Sequence, residues 1–562
     1  MKHFVLILSL LTVAACGGGG GGGNGNNAPP PTTNNPPPAP APPTAAEMAA
    51  AARLLEIATF GPTYEEIETA AEMGPDVWLD QQLVTPASLH MPLVNQHILQ
   101  FGFDLAADPF PGLYRRWAFW ERALTGEDQL RQLVAYALTQ IFVISDNVGA
   151  IVNDPRASAS YYDVMLNNAF GNYRDLLREV TLHPAMGFYL SHVNNGKSDP
   201  VANTFPDENY AREVMQLFSI GLFELNADGS LVLDGSNNPI PTYDNGDIRE
   251  FSKIFTGLSY GPENPGGASF FGKQRPVMHV PMVMFDDFHE TGTKTLLNGQ
   301  IVPDGQTGLE DIDAAIDNLF NHPNVGPFIG KQLIQRLVGS NPSPAYIERV
   351  TNVFNDNGNG VRGDLGAVVR AILTDAEAAQ GVRLREPFRR YVALNRSLHA
   401  VGEDGTYPAN GFVNQFLTGQ NVMSAPSVFN FYLPVFSPAG EIKDAGLVAP
   451  EFQITDAATI VGMTNLVAYA LFSEQSIDSP QDFTLIKPDL SEFSDLADDP
   501  GSMVERIDLV FFGGEMDAET DTLLTDAVTA SMNNSNDANL AAQVGLFLAL
   551  TSPSQAVSGG AL

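Results

Sequence analysis

Asn209, Arg212, Glu213 and Gln216 recur at three- and four-residue spacing inside the stretch Pro206 to Gly221. Read as one helix, that stretch places Tyr210, Val214, Leu217 and Phe218 on an apolar face and the four polar residues on the opposite one. An arginine beside a carboxylate can clamp a carboxylate, sulfate or phosphate while the acid moves a proton. Arg212 and Glu213 are therefore candidate catalytic residues, and Glu208, Asn209 and Gln216 candidate binding residues. A structural reading competes. Glu208 and Arg212 form an i,i+4 pair in the favourable order, and ion-pair networks imitate sites. The two readings divide the stripe: Arg212 is expected to pair with a carboxylate such as Glu208 or Asp247, leaving Glu213 to a ligand or metal.

Asp286-Asp287-Phe288-His289-Glu290 is a second cluster. A histidine among acids suits a divalent metal, so Asp287, His289 and Glu290 are candidate ligands and His289 also a candidate base. Neighbours on an extended segment point to opposite sides, so Glu213 or Asp247 would have to complete the set. The competing reading is an acidic turn whose histidine bonds a carboxylate. A third candidate is the loop Asn355 to Asp364, where Asn355, Asn357 and Asn359 alternate and Gly360 stands sixth, as in a calcium loop. Its twelfth position is Gly366, which lacks the carboxylate that such a loop needs, and a turn leading into a helix capped by Asp364 reads as well. No H-E-x-x-H or P-loop pattern occurs, and a divalent metal is the one cofactor these residues suggest.

The elements around these residues are helical in period. The class is mainly α, a multi-helix globular domain in one or two lobes. Ala46 to Ala58, Tyr64 to Val84, Leu113 to Thr125 and the nearly all-apolar Gln129 to Ser145 lead the series. Turn residues around Ser230-Leu231-Val232-Leu233 mark a small hairpin, and Val277 to Phe285 a strand, giving a β insertion at about 225–300. Ser427 to Tyr432, within an irregular stretch, is suited to plug the core or line a cleft.

The chain has 562 residues and a formal net charge of −36, from 65 Asp+Glu against 29 Lys+Arg. That balance argues against binding nucleic acid or anionic lipid by charge. Met1-Lys2-His3 followed by the apolar run Phe4 to Ala15 reads as a signal peptide (1–15). Val13-Ala14-Ala15-Cys16 resembles a bacterial lipobox, which implies acylation of Cys16 and a membrane anchor. Gly17 rather than an acid after the cysteine favours the outer membrane. Cys16 is the single cysteine, so neither an internal disulfide nor a cysteine nucleophile is available to the body. A Gly-, Asn- and Pro-rich tether (16–44) leads to the folded part (45–562).

Taken together, several stretches resemble the bacterial domain-of-unknown-function family 1800. They are Ala52-Arg53-Leu54-Leu55 with Ala58 to Pro62; Asp207 to Gly221; Tyr243, Asp247 and Thr256-Gly257-Leu258; and Phe288-His289-Glu290 with Lys294 and Gly299. The resemblance covers about Ala50 to Thr551 and marks Asp247, His289 and Lys294 as site candidates. Asp207, Gln216 and Glu290 depart from the family's Asn, Glu and Asp. The family carries no settled activity, but its members are similar in being exported and in lying beside genes for a sulfatase-like protein, a candidate partner. Two expectations follow. One is a lipid-anchored hydrolase acting on a surface polymer or small anion, with Glu213 or His289 as base. The other is a noncatalytic surface scaffold or assembly protein.

Overall fold

The computed structural model describes residues 41–102, 112–264, 266–273, 277–402, 405–407, 411–473, 475–478 and 483–559. The expected signal segment, Cys16 and nearly all of the expected tether lie outside them. The folded body, Pro43–Leu562, is mainly α with small antiparallel strand insertions, as its periodicity predicts. No helix among the described residues is long and apolar enough to cross a membrane.

Local chemistry sets the helix ends. Thr44 caps Ala45–Ala58 and Thr63 caps Tyr64–Met73, each in a reciprocal capping box with the glutamate three residues on. The single helix expected over Tyr64 to Val84 is two. Gly74 adopts φ 88° and Pro75 opens Pro75–Val84, so the chain turns where one residue permits a left-handed backbone and the next cannot continue the hydrogen-bond ladder. The apolar helix also ends early, at Thr139. The β-branched run beyond it suits extended chain better than helix. Ser145 bridges Ser424 and its hydroxyl donates to the Ala425 carbonyl at 2.7 Å. That contact seats the irregular stretch: Phe431 and Tyr432 are buried with Val143, so the end of Ser427 to Tyr432 enters the core while Ser427 and Phe429 stay exposed.

Strands are short. The expected hairpin is a ladder of isolated bridges, Phe223 to Pro241, Leu225 to Leu231 and Leu233 to Pro239. Leu258–Ser259 pairs with Val283–Met284, and Lys294–Thr295 with Ile301–Val302. Arg383–Leu384 pairs with Val557–Ser558, tying the C-terminal end to the middle of the chain. One sheet has three strands, with Phe483–Lys487 between Val401–Gly402 and Gln475–Asp478. An aromatic cluster of Phe60, Phe119, Trp120, Tyr136 and Phe388 fills the core between helices, largely edge to face.

Candidate functional site

The helix of the signature stretch is Asn209–Gln216, shorter at both ends than the sequence predicts. At its start, the Asp207 amide donates to Asn195 and the Asp207 carboxylate accepts the Asn209 amide, which leaves Pro206 and Asp207 outside. At its end the turn widens. The Ile220 and Gly221 amides both reach the Met215 carbonyl, and Gly221 takes φ 73°. A Cβ on Gly221 would stand 2.9 Å from Phe328, so close packing as well as backbone angle requires glycine.

The apolar face is anchored firmly. Tyr210 is fully buried, shares a hydrogen bond with Thr181 at 2.7 Å and stacks on His192 at 3.9 Å. On the other side, Arg212 pairs with Glu208 at 3.6 Å, and both side chains are about two-fifths exposed (41% and 44%). This is the partner expected for Arg212. Asn209 is exposed.

Glu213 differs from the expectation that it faces away from the core. Only 7% of it is exposed, and its Oε2 is buried without a hydrogen-bond partner. The helix angle explains this: at 100° per residue Glu213 lies about 60° from Tyr210, at the margin of the apolar face, whereas Arg212 lies about 160° away. Burial raises the Glu213 carboxyl above its ordinary pKa, against a smaller opposing pull from Arg212. Burial, and after it the nearby Glu213 charge, raises the Tyr243 pKa, and its hydroxyl is 3.4 Å from the Gln216 side-chain carbonyl. Glu213, Gln216 and Tyr243 thus form a small polar group behind the Arg212–Glu208 pair.

The other candidates do not join this group. Asp247 is spent on its own helix, Asn245–Ile254: its carboxylate accepts the Asp244 amide at 2.8 Å in a capping box. His289 is fully buried. Its Nδ1 faces the Thr256 carbonyl at 2.9 Å, and its Nε2 faces Asp311 at 2.9 Å. Both ring nitrogens are occupied by protein partners, so neither faces open space where a metal could sit. Lys294, equally buried, donates to the same Asp311 oxygen at 2.5 Å. Glu290 accepts the Ser198 amide, and Asp287 is exposed. The histidine bonded to a carboxylate is therefore the reading this turn follows.

Gly257 makes the arrangement fit. It holds φ 88°, and a Cβ there would meet the Phe285 carbonyl at 2.9 Å and the His289 Cβ at 3.1 Å. The Thr256-Gly257-Leu258 and Phe288-His289-Glu290 blocks, far apart in sequence, are packed against each other at that point.

The asparagine loop is closed by its own bonds. Asn357 Oδ1 accepts the Asn359 amide and its Nδ2 donates to Asp364, while the Arg362 guanidinium donates to Asn355. Asp364 caps Leu365–Leu373, as the turn reading predicts. Among the described residues, no three His, Cys, Asp or Glu side chains are grouped to hold a metal ion.

Sequence reasoning missed a buried polar network. Glu386 Oε2 accepts Tyr136 at 2.7 Å, Gln140 at 2.9 Å and Gln420 at 2.5 Å. Beyond it, Glu451 is 1% exposed with Oε2 unpaired, and burial pushes its carboxyl up to about 7. Tyr136 and Gln140, four residues apart in an otherwise apolar stretch, were the available signal. Arg383, Arg385, Arg389 and Arg390 were also overlooked, although four of the 29 Lys+Arg fall between positions 383 and 390.

No curated protein and no solved structure matches the chain. A family model described as protein of unknown function (DUF1800) matches residues 53–556. That span includes the signature helix, the Gly257–His289 junction and the buried Glu386 network, and the chain belongs to this family.

Proposed function

We propose that the protein is an exported lipoprotein, acylated at Cys16 and held at the outer membrane, whose helical body is a noncatalytic binding or assembly module working beside a sulfatase-like partner. The observation that carries this reading is how three of the four candidate catalytic side chains are employed. Arg212 pairs with Glu208, Asp247 caps its own helix, and His289 is locked between Thr256 and Asp311. The His289 contacts join separate elements, and the Arg212 and Asp247 contacts each support their own helix, so all three serve the fold. The lipobox-like end of the leading segment supports the anchor.

Two measurements test the reading. Cys16→Ser is expected to move the protein from the membrane pellet to the soluble fraction, and unchanged fractionation removes the anchor. The purified body is expected to co-elute with the sulfatase-like protein, and independent elution at micromolar concentrations removes the assembly role.

A second reading, a hydrolase of a surface polymer or small anion, is favoured by Glu213 alone. A buried carboxyl with a raised pKa and an unpaired oxygen is suited to giving and taking a proton. Turnover that Glu213→Gln abolishes without loss of fold would favour it.

A further inference from the structure

Arg383, Arg385, Arg389 and Arg390 line one small cavity, of about 50 Å³, whose lining also includes Phe60-Gly61-Pro62. Its volume admits roughly three to five water-sized groups, the scale of a tetrahedral oxyanion. The one carboxylate in its lining is Glu56. The local balance is thus four cations to one anion, in a chain whose net charge is −36.

The four arginines are not employed alike. Arg385 is fully engaged, with Glu56 at 2.7 Å and the Phe511 and Gln555 carbonyls at 2.7 and 2.9 Å. Arg390 donates to the Gln555 side chain and the Leu550 carbonyl at 2.7 and 2.6 Å. Those two tie the C-terminal segments to the body. Arg383 and Arg389 are 5% and 8% exposed, and each keeps a buried N–H without an acceptor, Nε of Arg383 and Nη1 of Arg389. The remaining hydrogen bonds of this pair are to the Arg336 and Thr59 carbonyls, which are neutral, and the Arg383 charge also acts on the buried Glu451 carboxyl outside the cavity. Leaving charged donors buried and unpaired is costly, and burial together with Arg385 drives the Arg390 guanidinium down to about 9. Glu386, next in sequence to Arg385, offers no relief here, because its Oε2 is taken by Tyr136, Gln140 and Gln420.

We infer that this cavity is a binding site for a small tetrahedral oxyanion, phosphate or sulfate, taken by the Arg389 guanidinium, whose bond to the Thr59 carbonyl is long at 3.3 Å, with Arg383, Arg390 and Arg385 supplying the surrounding positive field. The anion is either the free ion or the end group of a monoester. Guanidinium donors match the geometry of such oxygens, and the buried setting strengthens each charge-assisted bond. The site is independent of the function proposed above, since it shares no residue with the signature helix.

The test is equilibrium dialysis of the full chain against radiolabelled inorganic phosphate or sulfate, beside thermal melts in phosphate, sulfate, glycerol phosphate and chloride at equal ionic strength. About one equivalent bound, with a saturable rise in melting temperature over chloride, is the expected result. A response to glycerol phosphate as well identifies a monoester end group; a response to the inorganic ions alone identifies the free ion. Phosphate and sulfate also stabilise proteins by exclusion from their surfaces, so the same titration is made on Arg389→Gln. There, binding is expected to weaken at least tenfold and the saturable rise to vanish. No binding by the wild-type chain overturns the proposal, as does undiminished binding by Arg389→Gln. Should that variant not fold, the wild-type dialysis decides alone.

Discussion

Glu213 and Arg212 are neighbours in sequence and opposites in environment. The Arg212–Glu208 pair was legible, because i,i+4 spacing on a helix fixes it. The burial of Glu213 was not, because it sits at the margin of the stripe, where one turn of packing decides which side wins. The energetic expectation for Arg212 changes accordingly. Had its partner been buried, losing the arginine would have been severe. With both side chains about two-fifths exposed, Arg212→Ala is expected to cost less than about 1 kcal/mol in denaturant melts. Glu213 carries the pH dependence. Its folded carboxyl binds a proton at higher pH than the unfolded one, so as pH rises above about 4 the unfolded chain sheds its proton first and stability falls. Glu213→Gln removes that loss. The variant is expected to melt higher than wild type at pH 7, with the gain shrinking to nothing near pH 4. A variant that loses stability at pH 7 would mean that the ionised carboxylate has an unseen partner.

At the scale of elements, the decisive object is the Asp311 carboxylate in the first turn of Gly308–Phe320. It receives His289 from one turn and Lys294 from a short strand, and all three side chains are buried to within 1%. The sequence marked His289 and Lys294 through their motif but gave no sign of Asp311, which lies 17 residues beyond Lys294 in an ordinary acidic helix start. Distant partners of this kind are invisible to local periodicity. The same limit hid Gln420 from Glu386, 34 residues away. Removing one member of a buried charged group strands the others. Asp311→Ala is therefore expected to cost about 3–5 kcal/mol, several times the Arg212→Ala effect, when the two are compared by urea denaturation at pH 7. Near-equal losses would show that the triad is not what holds these elements together. Helix boundaries were legible where capping chemistry is explicit, as at Thr63 and Asp364, and were misplaced where a glycine or a β-branched run interrupts an apolar pattern, as at Gly74 and beyond Thr139.

For the molecule as a whole, the mainly α class was readable because apolar residues recur at helical spacing through most of the chain, and that signal needs no knowledge of distant contacts. The first described helix, Ala45–Ala58, begins at the residue where the folded part is expected to start, and one residue matters there. Composition alone predicts that removing the whole tether leaves the body's stability unchanged, because a Gly-, Asn- and Pro-rich segment buries no core. Thr44, the last residue of that segment, belongs to the body. Its hydroxyl accepts the Glu47 amide and its own amide donates to the Glu47 carboxylate, closing the first turn of Ala45–Ala58. That helix carries Ala51, Ala52, Leu55 and Ala58 into the core. Deleting residues 17–43 is therefore expected to leave the melting temperature as it was. Deleting residues 17–44 is expected to lower it by about 1 °C, the size of one lost N-cap spread over a body of this length. Hydrogen exchange gives the sharper reading. The amides of the first turn should exchange faster in the longer deletion and normally in the shorter one. Equal protection in both would show that core packing alone holds the helix start, and a loss in the shorter deletion would show that the tether docks on the body.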